Sequence, residues 1–160
     1  MTRSLVSKIF AAIVVTVTLA ACGEDNLLGP NPEDVQFAPS LDIDLSTMIQ
    51  KPSGLFSADS TVGTGLVAAS GDAVTANFTL WLSDGNLIDG GTDTWVLGTL
   101  ELFAGGDEGL RGMQVGGVRV LVVPSSLGWG EQGSQDGFVP SDAVLVVLLE
   151  VTAIVKPGAT

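Results

Sequence analysis

The clearest pattern in the chain is an alternation of apolar and polar residues between Val74 and Leu82. A period of two over this length is typical of a half-buried antiparallel strand. Asp84-Gly85 follows and predicts a hairpin turn. The apolar face predicted for this strand consists of Val74, Ala76, Phe78, Leu80 and Leu82.

A second alternation lies near the C-terminus, where Leu145, Val147, Leu149 and Val151 share one face. The run is predicted as a strand over residues 143–155, and Lys156-Pro157-Gly158 ends it. Segment 118–123 is apolar on both faces, as an inner strand would be. Further strands are predicted at 55–61 and, briefly, at 95–98.

Helical signals are weak. Gly105, Gly106, Gly109 and Gly112 each weaken a helix by about 1 kcal/mol. One short helical piece is predicted at 110–115, and residues 90–94 are interpreted as a loop. The predicted fold class is therefore α+β, a twisted antiparallel sheet wrapped on one short helix.

The amino-acid composition excludes several classes of function. The chain has 160 residues, 46% hydrophobic and 15% charged, which favours one globular domain with extra terminal sequence. Its net charge of −12, with only six scattered basic residues, argues against a nucleic-acid partner. With no His and a single Cys, we expect no His-based acid–base chemistry, no Cys/His metal site, no cofactor and no intrachain disulfide.

The N-terminus has the pattern of an export signal. Arg3 and Lys8 precede an apolar core at 9–19, which is shorter than the roughly 20 residues of a membrane span. The segment Leu19-Ala20-Ala21-Cys22 resembles a bacterial lipobox, which implies cleavage before Cys22 and a lipid on its thiol. The alternative is an ordinary cleavage site with an incidental Cys. Gly23 after the Cys favours the outer membrane, facing the periplasm, by resemblance to lipoprotein sorting rules.

Four regions follow from these signals. We predict a signal peptide at 1–21, a lipidated acidic tether with several prolines at 22–46, a folded domain at 47–156 and a tail at 157–160. Within the tether, Leu41, Ile43 and Leu45 alternate with acids, so a short edge strand is a possible alternative there.

Four blocks of the predicted domain resemble the FKBP-type peptidyl-prolyl isomerase family, in order and in spacing. They read TANFTLWLSDGNLID from Thr75, DEGLRGMQVGG from Asp107, PSSLGWGEQG from Pro124 and VPSDAVLVVLLEV from Val139. The resemblance covers about 48–155 and implies an antiparallel sheet wrapped on a short helix. It also implies rotation about X-Pro bonds in an apolar pocket, without a nucleophile.

The resemblance assigns pocket roles by position. It implies catalytic roles for Asp89, Phe103 and Trp129, with alternatives for two of them: Asp89 as a turn residue and Trp129 as a cover of the core edge. Gly106 stands where the family has the Trp that floors the pocket, and Trp95 or Trp81 is a candidate to refill that space. The implied substrate-binding residues are Phe78, Ile88, Leu102, Phe138, Val139 and Val147.

These observations lead to one expectation and two alternatives. We expect a monomeric, lipid-anchored isomerase of the bacterial cell envelope that acts on proline-containing or unfolded polypeptides, with turnover reduced by the altered pocket. The first alternative is an FKBP-like binding or chaperone module with little or no turnover. The second is a purely structural surface lipoprotein, which needs no pocket.

Overall fold

The fold is a single antiparallel sheet with one short helix. The structure, a computed structural model, describes residues 29–99 and 101–158. Within these ranges the sheet has the spatial order β1-β2-β5-β6-β3-β4, and helix α1 packs on its inner face. The predicted α+β class is confirmed. The elements are β1 (Ile49–Gln50), β2 (Phe56–Thr61), β3 (Ala73–Leu82), β4 (Leu87–Val96), α1 (Ala104–Leu110), β5 (Val118–Val123) and β6 (Leu145–Val155).

The two alternating segments form the centre of the sheet. Strand β3 pairs with β6 along its whole length, from Ala73 opposite Val155 to Leu82 opposite Leu145. The predicted inner faces are confirmed, because the alternate apolar residues of both strands lie in the main core, with Phe78 and Leu82 packed against it. Asp84-Gly85 forms the predicted turn, in which Gly85 has φ +89° and its N–H donates to the Leu82 carbonyl.

Strand β4 corrects the prediction of a loop at 90–94. The strand runs from Leu87 to Val96 and pairs with β3, with Gly91 opposite Phe78 and Gly90 opposite Thr79. Its residues lack an apolar alternation because β4 is the edge strand and most of its side chains are exposed. Backbone pairing to β3, rather than burial of side chains, therefore defines this strand.

The helix also lies elsewhere than predicted, at 104–110 instead of 110–115. Its glycines allow close contact with β5. A Cβ on Gly105 would lie 2.5 Å from Val123 Cγ1, and a Cβ on Gly109 would overlap the Leu121 side chain. Burial of the helix against β5 therefore offsets its poor intrinsic propensity.

The described part of the predicted tether lies along the sheet. Residues 29–48 contain three 3-10 turns and cross the outer face of the sheet, where Phe37, Leu41 and Ile43 are half-buried against Phe56 and Val122. The possible edge strand at 41–45 is not formed, since Asp42 adopts the left-handed conformation at φ +49°. We call this segment the strap.

The strap is expected to stabilise the domain. Replacing Phe37 by Ala should lower the free energy of unfolding by roughly 1–3 kcal/mol, less than the cost for a fully buried Phe, because the ring is only half-buried. Denaturant unfolding measures this change. Val62→Ala is the control, because Val62 is 71% exposed and should change stability little. Equal effects of the two substitutions would show that the strap does not support the sheet.

An ion pair between a buried Asp72 and a half-exposed Lys156 fixes the chain before β3. Asp72 is buried, and its Oδ2 atom accepts hydrogen bonds from Lys156 Nζ at 2.6 Å and from the Ala69 N–H at 2.8 Å. Lys156 Nζ also donates to the Val67 carbonyl at 2.8 Å. The hydrogen bond from Lys156, followed by that from Ala69, holds the pKa of the Asp72 carboxyl below its ordinary value.

Asp72→Asn should lower stability at neutral pH, and the difference from the wild type should shrink in acid. Because the folded pKa of Asp72 is depressed, the pair's contribution is fully present above the unfolded carboxyl pKa of about 3.9 and is lost as pH falls through the lower folded value. Urea unfolding of both proteins from about pH 7 to pH 2 measures it. A difference that stays constant over this range would contradict the assignment.

Candidate active site

A cavity of about 220 Å³ lies between α1, the inner face of the sheet and the loop that carries Trp129. Strands β3 and β6 supply its apolar wall, which consists of Phe78, Leu80, Val147 and Leu149. These residues line the cavity because they sit at alternate positions of two paired strands, with Leu80 opposite Val147 and Phe78 opposite Leu149.

Two aromatic pairs enclose the cavity. Phe78 and Trp95 meet edge to face, with ring centroids 5.5 Å apart and planes at 66°. Phe103 and Trp129 have centroids 5.0 Å apart and planes at 38°. Both separations fall within the range in which aromatic rings attract each other. The resulting site is a semi-open apolar slot with rings on two sides.

The space beside Gly106 is occupied by the preceding residues. A Cβ on Gly106 would lie 2.8 Å from Leu102 Cγ and 3.1 Å from Phe103 Cζ. Of the two tryptophans considered for this space, Trp95 lines the cavity, whereas Trp81 packs against the cluster on the outer face. The floor is therefore built by Leu102 and Phe103, with Trp95 forming a wall from β4.

The structure brings six of the nine predicted pocket residues together. Ile88 is half-buried against the main core, and Val139 is buried in it, so neither lines the cavity. Phe138 is 66% exposed and also lies outside it. Cys22 is outside the described residues. Trp129 packs against the core, as its alternative role requires, and it also lines the cavity, so its catalytic role stays a prediction. The six lining residues are Phe78, Asp89, Leu102, Phe103, Trp129 and Val147.

Phe138 is held outward by a tight turn. The Ser134 N–H donates to the Val139 carbonyl at 2.8 Å, and the Val139 N–H donates back to Ser134 Oγ at 2.8 Å. Asp136 Oδ1 accepts from the Phe138 N–H at 3.1 Å. The hydrogen bond from Ser134 is the main reason that the pKa of Asp136 lies below its ordinary value.

The rim of the cavity is acidic. Asp89, Asp93 and Glu101 line it, and each uses one carboxylate oxygen to accept a backbone N–H, from Gly90 at 2.8 Å, Thr94 at 2.7 Å and Val96 at 2.9 Å. The resemblance implied only the first of these acids. Residues 89, 93 and 95 share one face of β4, so assigning 90–94 as a strand would have placed Asp93 and Trp95 beside Asp89.

The described ranges contain no group of three or more His, Cys, Asp or Glu side chains arranged to hold a metal ion. Within the same ranges, no helix has both the length and the apolar composition to cross a membrane. The arrangement of the cavity is suited to binding an apolar segment of a peptide.

Known proteins resemble this chain in sequence and in fold. Residues 65–152 match the family model of FKBP-type peptidyl-prolyl cis-trans isomerases. An FK506-binding protein of Neisseria meningitidis serogroup B is 35% identical over 106 residues, which cover 63% of this chain and 96% of that protein.

Two solved structures are similar in fold. AtFKBP13 has a TM-score of 0.63 at 28% identity, covering 68% of this chain and 98% of its own. FkpA from Escherichia coli has a TM-score of 0.64 at 25% identity, covering 71% and 53%. On the match of the family model and the Neisseria relative, this chain belongs to the FKBP-type peptidyl-prolyl cis-trans isomerase family.

Proposed function

We propose that the cavity between α1 and the inner sheet isomerises X-Pro bonds of exported proteins without a covalent intermediate. The observation that supports this most is the meeting of two aromatic pairs around one apolar slot that is open at the surface. Such a slot fits a proline ring and the residue before it. The family's isomerase activity gives the reaction class.

The chemistry is a rotation whose barrier is about 18–20 kcal/mol in water. The twisted amide at the top of the barrier has less charge separation than the planar amide, so an apolar environment favours it. Each tenfold acceleration needs about 1.4 kcal/mol of tighter binding to the twisted form than to the planar form. Aromatic walls and one or two hydrogen-bond donors are sufficient for several such factors.

Three residues are assigned polar or boundary roles. Asp89 stands at the rim and, with one oxygen held by Gly90, orients the peptide at the mouth. Phe103 is the N-cap residue of α1, and its N–H is not used inside the helix, so it is placed to donate to a peptide carbonyl. Trp129 lines the slot together with Phe103, against which its ring packs. Leu102, Val147 and Phe78 form apolar surface for the proline ring.

We also propose that a lipid on Cys22 anchors the protein to a membrane of the cell envelope. If Cys22 is lipidated and residues 1–21 are removed, Arg3 and Lys8 are lost, which leaves four basic residues against 18 acids and a net charge of −14. Such a protein gains no electrostatic attraction to an anionic membrane, so the acyl chains supply the anchoring. Labelled palmitate should enter the wild type and not Cys22→Ser. Equal labelling of both would contradict the anchor.

The binding-module alternative is supported by one observation, the absence of an aromatic side chain at Gly106. It predicts peptide binding without any acceleration of isomerisation. The purely structural alternative is disfavoured by the cavity itself, since Phe78, Phe103 and Trp129 line one slot.

A protease-coupled assay on a proline tetrapeptide tests the proposal. Micromolar full chain in detergent micelles should accelerate cis-to-trans conversion. Asp89→Asn should lower kcat/KM by about tenfold, because a hydrogen bond to a charged group is worth roughly 1.5–3 kcal/mol. Asp34→Asn is the control, since Asp34 lies in the strap and is exposed. No acceleration by the wild type would exclude the isomerase, and binding without acceleration would favour the binding module.

A further inference from the structure

The mouth of the cavity is negatively charged, and binding of an apolar segment in the slot does not account for this charge. Asp89 and Asp93 lie on the cavity face of β4, and Glu101 reaches the same opening from the segment before α1. All three side chains are exposed, and carboxylates are ionised at neutral pH. Three negative charges therefore surround one semi-open apolar slot.

No cation of the described residues neutralises these charges. The chain has six basic residues, and the four in the described ranges each form an ion pair elsewhere. Arg119, for example, binds Asp59 at 2.6 Å and the Gly109 carbonyl at 2.8 Å. The other three pairs are Lys51 with Glu108, Arg111 with Asp107 and Lys156 with Asp72.

Charges at the entrance of a cleft with apolar walls act on what enters it, because the walls focus the field toward the opening. A cation brought to this mouth would lie in the field of three carboxylates, and no basic side chain of the described residues lines the opening with them. The proline ring and its neighbour have apolar surface for the slot, whereas a long Lys or Arg side chain can lay its methylenes on the rim and place its charge beside the acids.

We propose that the preferred substrates are polypeptides with a Lys or Arg directly next to the isomerised proline, and that Asp93 and Glu101 determine this preference. The inference rests on the proposed function, because it concerns the same cavity. In this proposal Asp93 and Glu101 select the substrate, and the apolar slot accelerates the rotation about the X-Pro bond. An apolar slot with an acidic rim is complementary to a cationic X-Pro segment.

Peptides that differ only in the charge beside proline test this directly. Matched tetrapeptides carry Lys, norleucine or Glu before the proline, and a second set carries them after it. Exchange NMR with the full chain in detergent micelles gives kcat/KM for each. We expect the Lys peptide to exceed the norleucine peptide by about fivefold in at least one set, and the Glu peptide to be the poorest, because two or three exposed charges each contribute modestly.

Removing the charges of Asp93 and Glu101 tests whether these two residues cause the preference for the Lys peptide. In Asp93→Asn/Glu101→Gln, and in the wild type at about 1 M NaCl, the ratio of Lys to norleucine should fall to about one. The matched control Glu33→Gln/Asp34→Asn removes the same charge from the exposed strap turn and should keep the ratio. An equal loss in the control would mean that overall charge attracts the peptide and would overturn the assignment.

Failure of this inference differs from failure of the proposed function. If all peptides are turned over at equal rates, the specificity proposal is wrong and the isomerase proposal stands. If none is turned over, dissociation constants for the Lys and norleucine peptides from tryptophan fluorescence decide. A tighter Lys peptide, sensitive to Asp93→Asn/Glu101→Gln, supports the acidic mouth in a binding module, and equal affinities overturn it.

Discussion

Trp95→Ala should lower the free energy of unfolding by about 3–5 kcal/mol and should reduce kcat/KM more than any substitution at the rim. Trp95 is only 8% exposed, lies in the main core and packs edge to face on Phe78. Its removal would enlarge a cavity that is already open at the surface. Guanidinium unfolding measures the first effect, and peptide exchange below the melting temperature measures the second.

Trp95→Phe is the matched variant. It keeps an aromatic ring against Phe78 and removes part of the volume, so we expect a smaller loss of stability and partial activity. If Trp95→Ala costs less than about 1 kcal/mol and leaves turnover intact, Trp95 does not form the wall assigned to it here.

Gly109→Ala should destabilise the protein by about 1–3 kcal/mol, although alanine in an isolated helix would gain about 1 kcal/mol. The added Cβ would overlap the Leu121 side chain, which is fully buried on β5, so that any movement of it would disturb packed neighbours. Helix α1 would then shift from the sheet and disturb Leu102 and Phe103 at the floor of the cavity. Equilibrium unfolding measures the stability, and peptide affinity reports the shift.

A double-mutant cycle with Leu121→Val controls for this clash. Removing part of the Leu121 side chain should cost stability in the wild type and restore part of it in Gly109→Ala, so the two effects should be strongly non-additive. Additive effects, or a net stabilisation by Gly109→Ala, would mean that helix α1 does not owe its close approach to the glycine.

The sequence predicts those elements in which the pattern of apolar and polar side chains follows which faces are buried. Strand β3 alternates because one of its faces covers the core, whereas β5 is apolar on both faces because Leu121 and Val123 lie in the main core and Val120 and Val122 lie in the cluster under the strap. The alternation also places Phe78 and Val147 toward the helix, and both line the cavity. Periodicity is informative in these strands because the core is formed from them.

Elements held by their neighbours could not be predicted in the same way. Strand β4 exists through its ladder to β3, so its Gly, Asp and Thr residues carry no period. Helix α1 has the composition of a loop and is stabilised by close contact with β5. The strap reads as a linker because its apolar residues follow no regular period, yet they cover the outer face of the sheet.

The site residues could be predicted only where the family resemblance or the predicted strands placed them. Asp89, Phe103 and Trp129 came from the family resemblance, and all three line the cavity. Asp93 and Glu101 required the position of β4, and the floor at Gly106 required the packing of Leu102 and Phe103. Ile88, Phe138 and Val139 show the converse, because their positions in the chain did not decide which way their side chains face.

The central claim is that this cavity turns over X-Pro bonds. The most direct test is two-dimensional exchange NMR of an X-Pro peptide with the full chain in micelles at about one-hundredth of the peptide concentration. Without protein, cis and trans signals interconvert over tens of seconds and give no exchange peaks on the NMR timescale. We predict exchange peaks with the wild type that weaken strongly in Trp95→Ala. Peptide signals that shift or broaden on binding, without exchange between cis and trans, would contradict the claim.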